Sequence, residues 1–199
     1  MISLFEWLVV FLSSFGFNLI PFAGPSNLFI ASNFALILGV GDPISFVILG
    51  FLVAVGAALA KSIHYLVTFF VGQHLSEKHR RQLDADAVKI KRWAFPLLFI
   101  AAVSPVPDEP VVIPLGLMKY NPAKFFVVFF LGKLVIGVLG AFLGSWAKST
   151  FSEWFSPELT IALSIILTIV VTIVLLKVDV GKLSERYLKR KKIAQQKQD

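Results

Sequence analysis

The chain has 199 residues, of which 57% are hydrophobic and only 16% are charged, and its mean hydropathy is +0.81. This composition excludes a water-soluble globular domain and predicts an all-α integral membrane protein. Because the chain has no cysteine and only three scattered histidines, we expect neither a disulfide framework nor a metal site, and no other cofactor.

The nineteen Lys and Arg residues are unevenly distributed along the chain. Six lie in 78–92 and eight in 177–197, whereas residues 1–60 contain none. Because positively charged loops stay in the cytoplasm, both clusters are predicted to face the cytoplasm from a multi-pass protein of the cell membrane. The net charge of +7 therefore reflects topology, and it predicts contact with membrane lipids rather than with nucleic acid.

Residues 1–72 are predicted to form a first structural unit. An apolar helix over 2–20 is interrupted by segment 21–27, and a second apolar run follows over 28–40. Neither run reaches the roughly 20 apolar residues that a membrane span needs. The two runs therefore predict a re-entrant helical hairpin. Its loop supplies scaffold residues and polar binding candidates, namely Pro21, Gly24, Pro25, Ser26 and Asn27.

The segment 44–71 completes this unit, since it is long and apolar enough to cross a membrane with tilt. It carries Lys61, His64 and Tyr65, whose spacing puts them on one helical face. Lys61 either faces a functional cavity or extends toward the cytoplasmic end of the helix. His64 and Tyr65 are more typical of hydrogen-bonded packing residues, with membership of a proton relay as the alternative.

A charged segment over 73–93 is predicted to be an amphipathic linker on the cytoplasmic face. It leads into a second unit, 94–148, which begins with another hairpin over 94–118. The prolines in 103–114 prevent an unbroken membrane helix, so this stretch must be a loop at membrane depth. The loop contains Ser104 and the scaffold residues Pro105, Pro107 and Pro110.

Two adjacent carboxylates, Asp108 and Glu109, lie in this apolar hairpin. A charged side chain in hydrocarbon costs roughly 2.5–3.5 kcal/mol on insertion scales. The two carboxylates therefore need partners, protons or water, and this requirement makes the loop the leading candidate site.

The second unit ends in an apolar span over 123–147 that carries Lys133. Glycines 132, 137, 140 and 144 give this span a small-residue face, which could serve packing within the chain or a homo-oligomer equally well. A third span is predicted over 157–177, followed by a basic cytoplasmic tail over 178–199.

The two units match in the order of their parts, which are a hairpin, a turn with proline and a lysine-bearing span. Each lysine precedes a glycine by eleven residues, in the pairs Lys61 and Gly72, and Lys133 and Gly144. The loop motif 24–27 corresponds in the same way to 106–109. Because one hairpin is predicted to enter from outside and the other from inside, the repeat is inverted, as in secondary transporters.

These charged residues indicate a proton-sensitive anion site. Two lysines and two carboxylates in apolar segments can nearly neutralise one another. Burial favours the protonated form of an unpaired carboxylate, so such a group can exchange protons during transport. Backbone N–H groups at the hairpin tips would favour an anionic group such as a phosphate. No nucleophile and base occur at usable spacing, so we do not expect an enzyme.

The arrangement resembles the DedA/VTT superfamily, also called the SNARE-associated Golgi protein domain, and its archaeal relatives that include small multidrug export proteins. The resemblance covers about residues 20–148 and rests on the following positions: 24–27, 61–65, Gly72, Phe99, 104–110, 115–118, Phe125, Gly132 and 144–146. It implies two facing re-entrant hairpins and a role in moving lipids across a bilayer. The substrates implied are polyprenyl phosphates for prokaryotic members and phospholipids for eukaryotic ones.

The chain departs from the bacterial DedA pattern at its charged positions. Ala102 and Asp108 stand where that pattern has arginines around the loop proline, and Lys61 stands where it often has an acidic residue. The signs are thus exchanged, which predicts a pair between Lys61 and Asp108. Asn27 occupies a position where related loops often carry glutamate.

Three functions follow as hypotheses. In the first, the protein flips or scrambles a polyprenyl phosphate or a phospholipid, with protons as a coupling ion, Asp108 and Glu109 as gating groups, and the two lysines as anion contacts. In the second, it is a proton-coupled exporter of small cations, whose carboxylates bind the substrate. In the third, it is a scaffold that does not transport and recruits partners through the tail 178–199.

Overall fold

The computed structural model describes residues 2–22, 24–72, 93–105 and 107–151, together with Leu159 and Ile166. The chain divides into two compact units, Met1–Ser164 and Ile165–Asp199, and all the helices given below lie in the first. The predicted linker over 73–93, the predicted C-terminal span over 157–177 and the basic tail lie almost entirely outside the described residues.

The described residues form six helices and no strand, which confirms the all-α prediction. In chain order they are α1 (Leu4–Asn18), α2 (Asn27–Leu38), α3 (Pro43–Val71), α4 (Trp93–Val103), α5 (Glu109–Leu117) and α6 (Pro122–Phe151). The order helix, loop, short helix, long helix therefore occurs twice. The inverted orientation of these two sets across a membrane stays a prediction.

The first hairpin comprises α1 and α2, and its ends follow from local chemistry. Ser3 and Glu6 form a capping box at the start of α1, which satisfies backbone donors that lack a partner within the helix. The Ser26 side chain caps α2 by accepting from the Phe29 N–H. Gly39, in the left-handed conformation at φ 65°, ends α2 before the end of the apolar run at residue 40.

The second hairpin comprises α4 and α5, separated by the loop 104–108. Pro110 lies in the first turn of α5, where its missing N–H costs no helical hydrogen bond. The prediction of a proline-broken helix pair over 94–118 thus agrees with the described secondary structure. The break falls immediately before the two carboxylates, so Asp108 and Glu109 lie at the start of a helix.

The long helices α3 and α6 have 29 and 30 residues. Both are long and apolar enough to cross a membrane, judged by length and composition. Asp42 caps α3 through the Ser45 N–H, and Pro43 occupies its first turn. Helix α6 continues four residues beyond the predicted end at residue 147, because no proline or glycine interrupts 145–151.

The long helices cross where glycine faces glycine. A Cβ atom on Gly137 would lie 3.0 Å from the Gly50 carbonyl oxygen, and one on Gly50 would lie 2.7 Å from the Val138 nitrogen. Helix α6 also packs on α2 and α3 packs on α5, so each long helix contacts the short helix of the other hairpin. Because α3 packs on both α6 and α5, the two lysine-bearing helices lie close to the second loop.

The glycine face of α6 is used within the chain. Cβ atoms on Gly132 and Gly140 would lie 2.5 Å from the Ala102 Cβ atom of α4 and from the Leu28 carbonyl oxygen of α2, respectively. One on Gly144 would collide with the Ser32 backbone. Between the two uses that the sequence left open, the structure therefore assigns this face to intramolecular helix packing.

Candidate functional site

The four candidate charges lie together in the interior of the helix bundle. Lys61, Lys133 and Asp108 are each 4% exposed and Glu109 is 3% exposed. They come from three separate helices, since Lys61 is on α3, Lys133 is on α6 and the carboxylates begin α5. We refer to these four residues as the ion cluster.

Asp108 bridges the two lysines. Its Oδ2 atom lies 2.8 Å from the Lys133 Nζ atom, and its Oδ1 atom lies 3.2 Å from the Lys61 Nζ atom. The second contact is an ion pair without hydrogen-bond geometry, because Oδ1 has no hydrogen-bonding partner. The predicted pair of Lys61 with Asp108 is therefore present, but it is the weaker of the two contacts of this carboxylate.

Lys61 donates its hydrogen bond to the Oε1 atom of Glu109. This ammonium thus contacts both carboxylates, whereas Lys133 contacts Asp108 and lies 5.0 Å from the Phe129 ring centroid. A cation held over an aromatic face gains a further electrostatic attraction. The cluster is consequently a chain of contacts that runs from Lys133 through Asp108 and Lys61 to Glu109.

Local helix geometry places the carboxylates for this role. Asp108 is the N-cap residue of α5, yet its side chain makes no cap hydrogen bond, so it is available to the lysines. Glu109 lies in the first turn, where the helix dipole favours negative charge. The prediction of a loop over 103–114 was wrong in its second half, because α5 begins at Glu109 and contains Pro114, whose missing N–H leaves only one helical hydrogen bond unmade. Both carboxylates therefore lie at a helix N-terminus.

The first hairpin reaches the cluster through a backbone group. The Phe22 N–H donates to the Oε1 atom of Glu109 at 3.1 Å, so the loops of the two hairpins meet at this carboxylate. Phe22 adopts φ 60°, a conformation that is an outlier for a bulky side chain. Sequence analysis missed Phe22, because no side-chain pattern identifies a backbone donor.

The polar candidates of the first loop, Ser26 and Asn27, have other partners. Ser26 caps α2, and the Oδ1 atom of Asn27 accepts from the Nδ2 atom of Asn18 at 2.8 Å. Asn27 is 2% exposed, and its Nδ2 atom has no hydrogen-bonding partner. Among the described residues, no hydrogen bond or ion pair joins Ser26 or Asn27 to the ion cluster, although they occupy the positions that the predicted repeat makes equivalent to Asp108 and Glu109.

His64 lies one turn from Lys61 on α3 and contacts the first loop. Its Nε2 atom lies 3.0 Å from the Leu19 carbonyl oxygen, and its Nδ1 atom is buried without a hydrogen-bonding partner. Because a carbonyl oxygen only accepts, Nε2 is the protonated nitrogen in this contact. His64 therefore holds the end of α1 against α3, beside the cluster.

Tyr65 packs away from the charges. Its ring stacks on Phe125 with 4.3 Å between centroids, and its hydroxyl donates to the Tyr120 carbonyl oxygen, just beyond α5. Tyr65 as a whole is only 1% exposed. These contacts favour the packing role over the relay role for Tyr65.

Replacing Tyr65 with Phe should lower the free energy of unfolding by about 0.5–1.5 kcal/mol, the net contribution of a typical hydrogen bond, since the half-buried Tyr120 carbonyl would lose its donor. Titration with sodium dodecyl sulfate in mixed micelles, followed by tryptophan fluorescence, measures this change. Tyr65→Ala should cost more because it also removes the ring that stacks on Phe125. Equal losses for the two variants would contradict this division of roles.

The remaining candidates shape the two loops. The Ser104 N–H donates to the Ile100 carbonyl at 3.0 Å at the end of α4, and Pro105 and Pro107 lie in the following loop. Pro21 and Pro25 flank the first loop, where a Cβ atom on Gly24 would collide with the Phe17 carbonyl oxygen. All of these residues lie in or beside the two loops, and their scaffold role stays a prediction. No group of three or more potential metal ligands occurs among the described residues.

The charges of the ion cluster sum to zero when two lysines and two carboxylates are ionised. An uncompensated buried charge costs several kcal/mol even after relaxation. Any change in the charge of one member, by protonation or by a bound ion, therefore changes the stability of the remaining contacts. The arrangement can couple the binding of an ion to the binding of a proton.

Comparison with models of protein families gives a match for this chain. The family model for the VTT domain matches residues 25–146, which is more than half of the chain and includes all four residues of the ion cluster. Comparison with curated proteins and with solved structures gives no match. The family match confirms the resemblance that the loop and span motifs indicated. Together with two helices long enough to cross a membrane, it shows that this chain belongs to the VTT domain family and has the character of a membrane protein.

Proposed function

We propose that this protein moves an anionic lipid headgroup, from a polyprenyl phosphate or a phospholipid, across a bilayer at the ion cluster. The observation that carries this proposal is the buried bridge of Asp108 between Lys61 and Lys133. Buried charges inside an apolar helix bundle are costly, and in membrane proteins they mark ion and substrate pathways.

The cluster has the chemistry that a phosphate headgroup requires. Two ammonium groups and the N-terminus of α5 supply positive potential in a region of low dielectric constant. The carboxylates hold the lysines when no substrate is bound, and they take up protons when a headgroup replaces them. Asp108 and Glu109 thus act as the gating groups, and protons act as the coupling ion.

Lipid translocation in proteoliposomes tests this proposal. Wild-type protein should move a fluorescent polyprenyl phosphate or phospholipid, and Asp108→Asn/Glu109→Gln should reduce the rate by at least tenfold, because no carboxylate remains to displace the headgroup. The assay is run with and without a pH gradient and with both lipid probes. Asp42→Asn is the matched control, since Asp42 is an exposed carboxylate at the start of α3.

The same assay separates the other two functions. If neither lipid moves but a cationic dye is expelled under a pH gradient, the protein is an exporter whose carboxylates bind the cation. If nothing moves, and deletion of 178–199 removes the cellular function, the protein is a scaffold. A transporter should retain most of its activity without this tail.

A further inference from the structure

Every donor group described at the ion cluster is bound by a carboxylate of the chain itself. Lys133 binds Asp108, Lys61 binds Asp108 and Glu109, and the Phe22 N–H binds Glu109 at 3.1 Å. Two ammonium groups and a backbone N–H are also a suitable donor set for a phosphate. The carboxylates therefore occupy the positions that the oxygens of a bound anion would need.

The conformation of Phe22 supports this interpretation. Its φ of 60° is unfavourable for a bulky residue, and such outliers persist where the surrounding structure holds them, often at ligand sites. Here the unusual backbone aims the N–H at Glu109. The first loop thus contributes a donor whose geometry is maintained at a cost in conformational energy.

Electrostatic balance then limits how an anion can enter. The cluster holds charges of +2 and −2, and an added anion would leave a buried net charge unless carboxylates were neutralised. We infer that Asp108 and Glu109 are internal competitors of the substrate, and that the cluster takes up one proton for each negative charge of the phosphate group that it binds. This inference rests on the proposed function and adds its proton stoichiometry: one for a phosphodiester and two for a phosphomonoester dianion.

Few other described groups could supply these protons. Helices α2 and α4 carry no titratable side chain, and α5 carries only Glu109. On α3 the neighbours are Tyr65, whose hydroxyl is bound to the Tyr120 carbonyl, and His64, whose Nε2 atom is bound to the Leu19 carbonyl and whose Nδ1 atom makes no hydrogen bond with the cluster. On α6 the group that faces the carboxylates is Lys133. The linked protons are therefore assigned to Asp108 and Glu109.

The test measures binding as a function of pH for two matched ligands in detergent. Dodecyl phosphate is a dianion above its second pKa of about 6, whereas dodecyl methyl phosphate stays a monoanion. Between about pH 7.5 and 9, affinity should fall roughly a hundredfold per pH unit for the dianion and roughly tenfold for the monoanion, since each linked proton contributes a factor of ten. Isothermal titration calorimetry in buffers of different ionisation enthalpy counts the protons independently.

A variant whose cluster charges still sum to zero tests whether the linked protons bind to Asp108 and Glu109. Asp108→Asn/Lys133→Met leaves one lysine and one carboxylate, so it should bind the monoanion with uptake of one proton and should lose high-affinity binding of the dianion. Equal pH slopes for the two ligands in wild-type protein, slopes of zero, or no binding of either ligand would each overturn the inference. Inorganic phosphate that binds as tightly as dodecyl phosphate would overturn the assignment to a lipid. If the protein moves lipids but its affinity for the two ligands does not change with pH, the proposed function stands and the proton-linkage inference fails. If the affinities change with pH as expected but no lipid moves, the inference stands and only the proposed function fails.

Discussion

Asp108→Asn is expected to lower the free energy of unfolding by roughly 3–5 kcal/mol, the usual cost of removing one partner from a buried ion pair. The substitution keeps the shape of the side chain and removes only its charge. Because Asp108 contacts both lysines, Lys133 would then have no carboxylate partner in the cluster, and Lys61 would keep only Glu109. Titration with sodium dodecyl sulfate, followed through the four tryptophans of the chain, provides the measurement.

A double-mutant cycle shows whether this loss comes from charge. Lys133→Met alone should also destabilise the protein, since it leaves Asp108 with only its longer contact to Lys61. The combined variant Asp108→Asn/Lys133→Met restores charge balance and should be more stable than the sum of the single losses predicts, with a coupling energy of about 1–3 kcal/mol. Purely additive losses would contradict the ion-pair interpretation.

Asp42→Asn is the control for replacing a carboxylate with an amide outside the ion cluster. Asp42 is exposed, and hydrogen bonds from the Ser45 side chain and backbone hold the pKa of its carboxyl group below the usual range. It is therefore ionised at neutral pH. Because Asn is as good an N-cap residue as Asp, this substitution should change stability little.

The second large effect is expected where α6 approaches α2. Gly140→Ala and Gly144→Ala should each lower the free energy of unfolding by about 1–3 kcal/mol, the typical cost of overpacking. The added Cβ atom at position 140 would lie 2.5 Å from the Leu28 carbonyl oxygen, and the one at position 144 would collide with the Ser32 backbone. Backbone atoms cannot rotate away as a flexible side chain can, so the helices must separate.

Separation of α6 from α2 should also reduce the proposed lipid transport, because Lys133 lies on the same helix as Gly140 and Gly144. Gly16→Ala is the matched control, since a Cβ atom on Gly16 meets nothing within 4 Å. That substitution should stabilise α1 by roughly 0.5–1 kcal/mol, the usual advantage of Ala over Gly in a helix. Size-exclusion chromatography with light scattering should show an unchanged oligomeric state for all three variants. If only the two α6 variants change their oligomeric state, the glycine face of α6 would instead form an interface between two copies of the chain.

The sequence by itself determined the helices of the described region. Long apolar runs without breakers predict α3 and α6, because a helix satisfies every backbone polar group within its own segment. Prolines and glycines predict where the hairpins break, since they remove donors or adopt conformations that a helix does not use. The charges in apolar segments identify the candidate site residues, because a charged side chain is costly to bury and in membrane proteins such residues usually have a function.

Only the tertiary structure decided how these residues combine. The sequence predicted a pair between Lys61 and Asp108, but the bridge from Asp108 to Lys133 depends on how α3 and α6 cross at Gly50 and Gly137. A crossing is set by steric fit between distant segments, which local periodicity does not encode. The Phe22 contact with Glu109 was equally inaccessible, because every residue except proline carries a backbone N–H and only the fold selects which one faces a buried carboxylate.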